Sequence, residues 1–239
     1  MKKIALLLLL ATSFGHAQNW SKNKIEGNGK VVSQVRSTSQ YDEIITNCSF
    51  LVELISGPEG QITLTGDENL LELIHVTVEN NALKIGIEKG IWFDTRGERI
   101  KITVPFEKIS RIDFGGSGDL KTNDKIVSEN LEIHVSGSGT TTVQIETLQI
   151  KAILSGSGTL EISGTTVNFD AKLSGSGGMA CKKLLSQNST ALLSGSGHID
   201  LNCSESLHAK VSGSGGITYS GNPKYTDNKV SGSGEILSF

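Results

Sequence analysis

Gly175-Ser176-Gly177-Gly178-Met179-Ala180 fits G-x-G-x-x-A, the spacing that lets a backbone turn cradle a dinucleotide pyrophosphate. That chemistry needs a strand before the turn, a helix after it and an acidic residue about 20 positions on. Here the stretch is one of seven Gly-Ser-Gly marks. They begin at Gly116, Gly137, Gly156, Gly175, Gly195, Gly213 and Gly232, at spacings of 21, 19, 19, 20, 18 and 19 residues. A near-constant period of this kind means one structural unit stacked on the next, and seven equivalent sites are an architecture before they are a chemistry.

Other reactive residue types give little. No repeat serine sits in G-x-S-x-G, and His75, His134, His198 and His208 have no recurring carboxylate at an obvious spacing. Cys48, Cys181 and Cys203 are an odd number, which argues against a disulfide framework. Cys203 falls one coil on and two positions further than Cys181. That is roughly 8 Å by strand rise and spacing, too far for a disulfide, so free thiols are expected, with Cys181 a small core residue. The turns carry serine where calcium-binding nonapeptide coils carry aspartate, so no metal and no cofactor is expected.

Two serine rows remain. Ser136, Ser155, Ser174, Ser194, Ser212 and Ser231 precede the marks, and Ser117, Ser138, Ser157, Ser176, Ser196, Ser214 and Ser233 are their centres. Such hydroxyls can satisfy one another and the corner backbone, or form a flat face for a glycan. Ser138, Ser157, Ser176, Ser196 and Ser214 are taken as candidate ligand contacts. So are Trp92 and Phe93, an aromatic pair in the expected loop 91–97 of a chain only 5% aromatic.

The elements that position these residues follow from the register. Two residues before each mark stand Phe114, Val135, Leu154, Leu173, Leu193, Val211 and Val230, all apolar. Ile112, Ile133, Ala152, Ala171, Ala191, Ala209 and Asn228 stand two earlier. After the mark come Leu120, Thr141, Leu160, Met179, Ile199, Ile217 and Ile236. These columns share one parity, so they face inward along strands, and the glycines of each mark share that parity. The predicted fold is all-β, a right-handed parallel β-helix with coils of about 19 residues. A left-handed hexapeptide helix needs six-residue sub-periods that the uneven spacings do not supply.

Upstream, residues 41–55 read as a strand, Gly57-Pro58-Glu59-Gly60 as a turn and 61–65 as a strand. Asp67-Glu68-Asn69 opens one helical turn or a loop. Asn80-Asn81 reads as a hairpin turn, and 99–104 as a strand stopped by Pro105. The N-terminus has the pattern of a secretory signal: Lys2 and Lys3, an apolar run over 4–11 too short to span a bilayer, and Gly15-His16-Ala17 as the cleavage site. The expected organisation is a signal peptide over 1–17, an N-terminal arm over 18–40 and one β-helical domain over 41–239. That domain is irregular over 41–114 and regular over 115–239. Net charge of −3 argues against nucleic acid, which needs a basic face. No later segment is long enough to span a membrane.

Tyr41-Asp42-Glu43-Ile44, Asp67-Glu68-Asn69-Leu70-Leu71, Asn81-Ala82-Leu83-Lys84-Ile85, Ile102-Thr103-Val104-Pro105 and the serial Ser-Gly-Ser-Gly together resemble one family. It is the putative auto-transporter adhesin, head GIN domain family of secreted bacterial proteins, and the resemblance runs from about 31 to 234. It implies a right-handed β-helix and export, and carries no catalytic or binding residues onto this chain. The expected function is therefore an exported, non-enzymatic binding or adhesion module, or a structural component of the envelope. Its expected partner is a glycan or another cell-surface component. The alternative is a carbohydrate-active enzyme, a lyase or hydrolase, on the same scaffold. Its carboxylates would cluster in one groove, but Asp119, Glu161 and Asp200 are separated by coils bearing Thr or Ala.

Overall fold

The computed structural model describes residues 24–88 and 90–238. The expected signal segment over 1–17 lies outside them.

Strict alternation of apolar and polar side chains makes the second half almost continuous strand. Thr140–Gly156, Thr159–Gly175, Gly178–Gly195 and His198–Gly213 each form one extended run ending on the first glycine of the next mark. Each pairs in parallel with the run before and the run after it, so that Thr140 meets Thr159, and Ala152 meets Ala171, one 19-residue coil later. Pairing lapses at Leu148 and Val167, where two outward residues follow one another. Each coil therefore has two walls, typified by 140–146 and 149–156. The Gly-Ser-Gly corner lies on one edge and a second corner on the other. This is the β-solenoid the periodicity predicts.

The inward columns hold as far as Val211; Val230 and Asn228, expected inward, are exposed in the last described coil. Phe114, Val135, Leu154, Leu173, Leu193 and Val211 are in register from coil to coil and all are buried. A single coil has no second layer to cover its apolar face. Each leucine is shielded by its equivalents above and below, and stacking is what makes the fold stable.

The glycines differ from expectation. Only the second of each mark faces inward, as buried Gly139, Gly158 and Gly177 do. The first has a left-handed backbone, with φ of 117° at Gly156 and 121° at Gly175. A Cβ on Gly175 would stand 2.5 Å from the carbonyl oxygen of Gly156 one coil earlier. Glycine is thus demanded by the turn and by the coil stacked beneath, not by the opposite wall. The carbonyls of Gly137, Gly156, Gly175 and Gly195 each accept two N–H groups from the next coil, as Gly137 O does from Ser157 N at 3.0 Å and Gly158 N at 2.9 Å.

The stack begins earlier than the marks. Arg111–Gly116 and Asp119–Thr122 pair in parallel with Glu43–Cys48 and Leu51–Ser56. Cys48-Ser49-Phe50 therefore occupy the corner that Gly116-Ser117-Gly118 fill one coil later, and the expected single strand over 41–55 is two strands broken at that corner. Beyond it the sheet becomes mixed. Lys101–Phe106 lies parallel to Leu51–Ser56 and antiparallel to Gln61–Asp67, on which Val31–Ser37 forms the outer antiparallel strand. Residues 31–37, expected as part of an arm, are thus part of the sheet. The strand also runs through Pro105. Antiparallel pairing with 63–65 ends at Thr103, so the missing N–H of Pro105 leaves no partner wanting on that side. Asn80 and Asn81, with φ of 53° and 63°, turn the hairpin between Ile74–Glu79 and Ala82–Ile87.

Candidate functional site

The expected loop around Trp92 is a short strand. Trp92–Asp94 pairs in parallel with Lys24–Glu26, an ion pair joining Lys24 to Asp94 and another Glu26 to Arg96. Alternation along that strand separates the two rings. Phe93 packs inward and stacks on Phe50, centroids 5.6 Å apart at 24°. Trp92 is 61% exposed. Because Phe50 is the corner residue of the first coil, the ribbon sits at the N-terminal end of the Gly-Ser-Gly ridge. The structure thus brings Phe93 to one end of the serine line and turns Trp92 outward there.

Asp67 holds the ribbon. Its N-cap position does not use the side chain for the helical turn Glu68–Leu71. The wholly buried carboxylate instead accepts N–H bonds from Gly29 at 2.9 Å, Arg96 at 3.0 Å and Gly97 at 3.3 Å. Gly27 leaves room for it, since a Cβ there would lie 2.1 Å from Asp67 Oδ2.

Ser138, Ser157, Ser176, Ser196 and Ser214 are all exposed, one per coil. Their corners are satisfied by backbone alone. Among the described residues, no side-chain hydrogen bond joins the serines of either row, so the expected coil-to-coil hydroxyl ladder does not form there. Hydroxyls do that work at the opposite corner, facing inward. Ser128, Thr147, Thr166, Ser186 and Cys203 stand in one register. Thr147 Oγ1 donates to Thr166 Oγ1 at 3.1 Å, and Thr166 Oγ1 reaches Asn168 O at 3.1 Å. The thiol of Cys203 occupies the same slot, 3.1 Å from both Gln187 O and Ser206 O. All three cysteines are free and buried. Burial pushes the Cys181 thiol up to about 12 and raises that of Cys48, so neither is a thiolate nucleophile at neutral pH.

Three histidines have carboxylate partners that the sequence reading missed. His134 Nε2 lies 2.9 Å from Glu132 and its Nδ1 3.3 Å from Asp113; His198 Nε2 lies 3.3 Å from Asp200; His208 Nδ1 lies 2.9 Å from Asp227. For His134–Glu132 and His198–Asp200 the available signal was an i, i±2 spacing, which puts two side chains on one face of a strand; Asp113 and Asp227 instead face their histidines from the adjacent coil. Around His134, Arg111 binds Asp113 and Lys151 binds Glu132. Lys151 and His134 hold the Glu132 carboxyl down at about 2. At His198 the same nitrogen faces both Asp200 and Thr218 Oγ1, the latter at 3.0 Å. A catalytic triad needs the acid on one ring nitrogen and the nucleophile on the other, so this arrangement orients a side chain and does not relay a proton. Among the described residues, no group of three or more His, Cys, Asp or Glu is placed to hold a metal ion. No helix there is long and apolar enough to cross a membrane.

Flat outward ladders on a parallel stack define a β-solenoid that offers surfaces along its whole length. The chain belongs to the putative auto-transporter adhesin, head GIN domain family, whose model matches residues 40–223. Solved structures agree. A putative adhesin from Bacteroides fragilis NCTC 9343 is 24% identical, covering 90% of this chain and 100% of that one with a TM-score of 0.86. A putative lipid binding protein from Parabacteroides distasonis ATCC 8503 is 25% identical, covering 91% and 100% with a TM-score of 0.76. A putative adhesin from Parabacteroides merdae ATCC 43184 is 18% identical, covering 91% and 99% with a TM-score of 0.75. Among curated proteins none matches.

Proposed function

We propose that this chain is an exported, non-enzymatic binding module that engages an extended glycan of the cell envelope or of a neighbouring surface. The observation that carries the reading is the exposed ridge Ser138, Ser157, Ser176, Ser196 and Ser214. Its hydroxyls recur at one strand spacing, about 4.8 Å, and none is used by the corner that bears it. An extended sugar chain advances by a similar step per ring, so successive rings meet equivalent hydroxyls. Trp92, exposed at the N-terminal end of that ridge, adds a flat apolar face of the kind on which a sugar ring stacks. The test is retention of the protein from Gln18 onward on immobilised polysaccharides. Replacing the five ridge serines by alanine, or Trp92 by alanine, should weaken retention at an unchanged melting temperature. Equal retention by both variants removes the ridge from the reading. Trp92 is replaced alone because Phe93 belongs to the packing against Phe50.

A second reading, lipid contact, has its own observation. Val127, Leu148 and Leu185 stand exposed on the edge opposite the ridge. Val127 and Leu148 border a groove of about 610 Å³ together with Ile109. It also agrees with the name of the Parabacteroides distasonis neighbour. Co-sedimentation with phosphatidylethanolamine vesicles, lost on Leu148→Asp, would favour it over the glycan.

A further inference from the structure

On the wall that follows the Gly-Ser-Gly corner, the outward side chains form two columns. One reads Thr140, Thr159, Gly178, His198, Gly216; the other reads Thr142, Glu161, Ala180, Asp200, Thr218, so that Gly216 is followed by a full threonine and Gly178 is not. A single coil, the one carrying Gly178 and Ala180, has almost no outward side chain. Its neighbours therefore stand as walls, Thr159 and Glu161 before it and His198 and Asp200 after it. The notch at Ala180 is a groove of about 280 Å³ whose lining includes Glu161, Ser163, Lys182, Lys183 and Asp200.

Folding does not require this gap. Unlike the first glycine of each mark, Gly178 has no left-handed backbone, and a Cβ there would meet nothing within 4 Å. Threonine occupies the same position in the two preceding coils. The same coil also departs from regular pairing. Glu161 pairs with Ala180 but Gly164 pairs with Leu184, so one extra residue is accommodated over 181–183. That bulge turns Lys182 and Lys183 to the end of the notch. Bulges of this kind re-aim side chains and collect at functional sites.

We propose that this notch is a binding subsite for one ring of a neutral, hydroxyl-rich sugar chain. The inference rests on the glycan reading given above and adds a place and a chemistry to it. Two carboxylates on facing walls accept hydrogen bonds and repel a phosphate or uronate lying between them. Asp200 is oriented by Lys182 at 3.4 Å and His198 at 3.3 Å, and Glu161 lies 3.5 Å from Thr142 Oγ1. The ammonium groups of Lys182 and Lys183 supply donors at the end of the groove and oppose a cation. A sugar hydroxyl both donates and accepts, so a neutral polyol satisfies both sets, with its C–H face against the Ala180 methyl. The volume lies at the lower edge of the ~300–1,000 Å³ typical of small-molecule sites, which suits a single ring.

The test compares the wild-type chain with the filled variant Gly178→Thr/Ala180→Thr, which introduces a residue found in both columns in other coils. Probes are a soluble β-1,4-glucan, an α-mannan and a polyuronate, read by affinity electrophoresis beside thermal melts. The expected result is wild-type binding to a neutral polymer, weakened about tenfold or more in the filled variant, as loss of one charged hydrogen bond would give, at an unchanged or higher melting temperature. Glu161→Gln/Asp200→Asn should weaken binding in the same direction and keeps the notch open, so it stands in if the filled variant fails to fold. Unchanged affinity in whichever variant folds overturns the notch while leaving the glycan reading intact. Binding to the polyuronate alone overturns the neutral-sugar chemistry. Binding to none of the three by the wild type overturns both the notch and the reading beneath it.

Discussion

Single side chains in this molecule are judged by the register they occupy. Cys203 stands where Thr147, Thr166 and Ser186 stand in earlier coils, and its thiol meets carbonyls as their hydroxyls do. Cys203→Ser should therefore hold the melting temperature within a few degrees. Cys203→Val leaves those carbonyls without a donor and should cost about 1–3 kcal/mol in urea denaturation. A valine variant as stable as the serine variant would show that the thiol acts only as a small apolar group. Glu132 gives a pH signature. Lys151 and then His134 hold its carboxyl at about 2, below its ordinary 4.5. A depressed folded-state value stabilises the fold above the unfolded value and loses that contribution as pH falls through the folded one. Stability should thus decline from about pH 4.5 towards pH 2. Glu132→Gln should remove part of that slope, at most about 1 kcal/mol, since solvent screens a pair of this exposure. An identical acid limb in the variant would place the effect elsewhere.

At the level of the coil, the columns that make the core were legible because every repeat restates the same slot. Leu154, Leu173 and Leu193 were placed together by position alone, and they stack as expected. What escaped was set by contacts between coils. Parity turned Gly175 inward, but its left-handed backbone aims a Cβ at the Gly156 carbonyl below. Gly175→Val should therefore prevent folding or strongly lower the soluble yield, and Gly175→Ala should already destabilise, because the obstacle is backbone. A normal melting curve for the alanine variant would remove the close-approach argument. Leu173→Ala should cost about 2–5 kcal/mol, the range for truncating a buried leucine. The inward hydroxyls of the second corner were not legible either: Thr147 and Thr166 keep the inward parity of Val143 and Ile162, but only the pairing shows that this wall ends there and that the hydroxyls meet from coil to coil. Cys48-Ser49-Phe50 hid the first corner because it lacks glycine, and only pairing with Gly116 reveals it. The exposed serine rows were legible as outward residues. The Gly178–Ala180 notch was present in the letters as a missing pair of side chains, but it gains meaning only once the neighbouring coils supply walls. The extra residue behind its bulge is visible as a spacing of 20 in place of 19.

For the molecule as a whole, the two ends of the stack are unequal. The N-terminal end is closed by a mixed sheet and by the Trp92 ribbon that Asp67 fastens. At the C-terminal end the last coil is uncovered among the described residues. Tyr225–Gly232 is exposed along its whole length, and polar Thr226 and Asn228 replace the Leu207 and Ala209 of the coil before. Polar substitution of that kind suits a terminal repeat that meets water. Amides over 225–238 should exchange with solvent well before those over 159–213, and uniform protection would show the last coil to be as firmly held as the middle. That inequality has a mechanical meaning. The backbone hydrogen bonds of a parallel stack run along its axis, so tension between the ends draws neighbouring coils apart one row at a time. The chain would yield first at that uncovered coil. Each coil peeled away would pay out 19 residues, or about 60–70 Å of slack at full extension, leaving the coils behind it folded. A tether built this way lengthens in steps under load and shortens again when the load is removed.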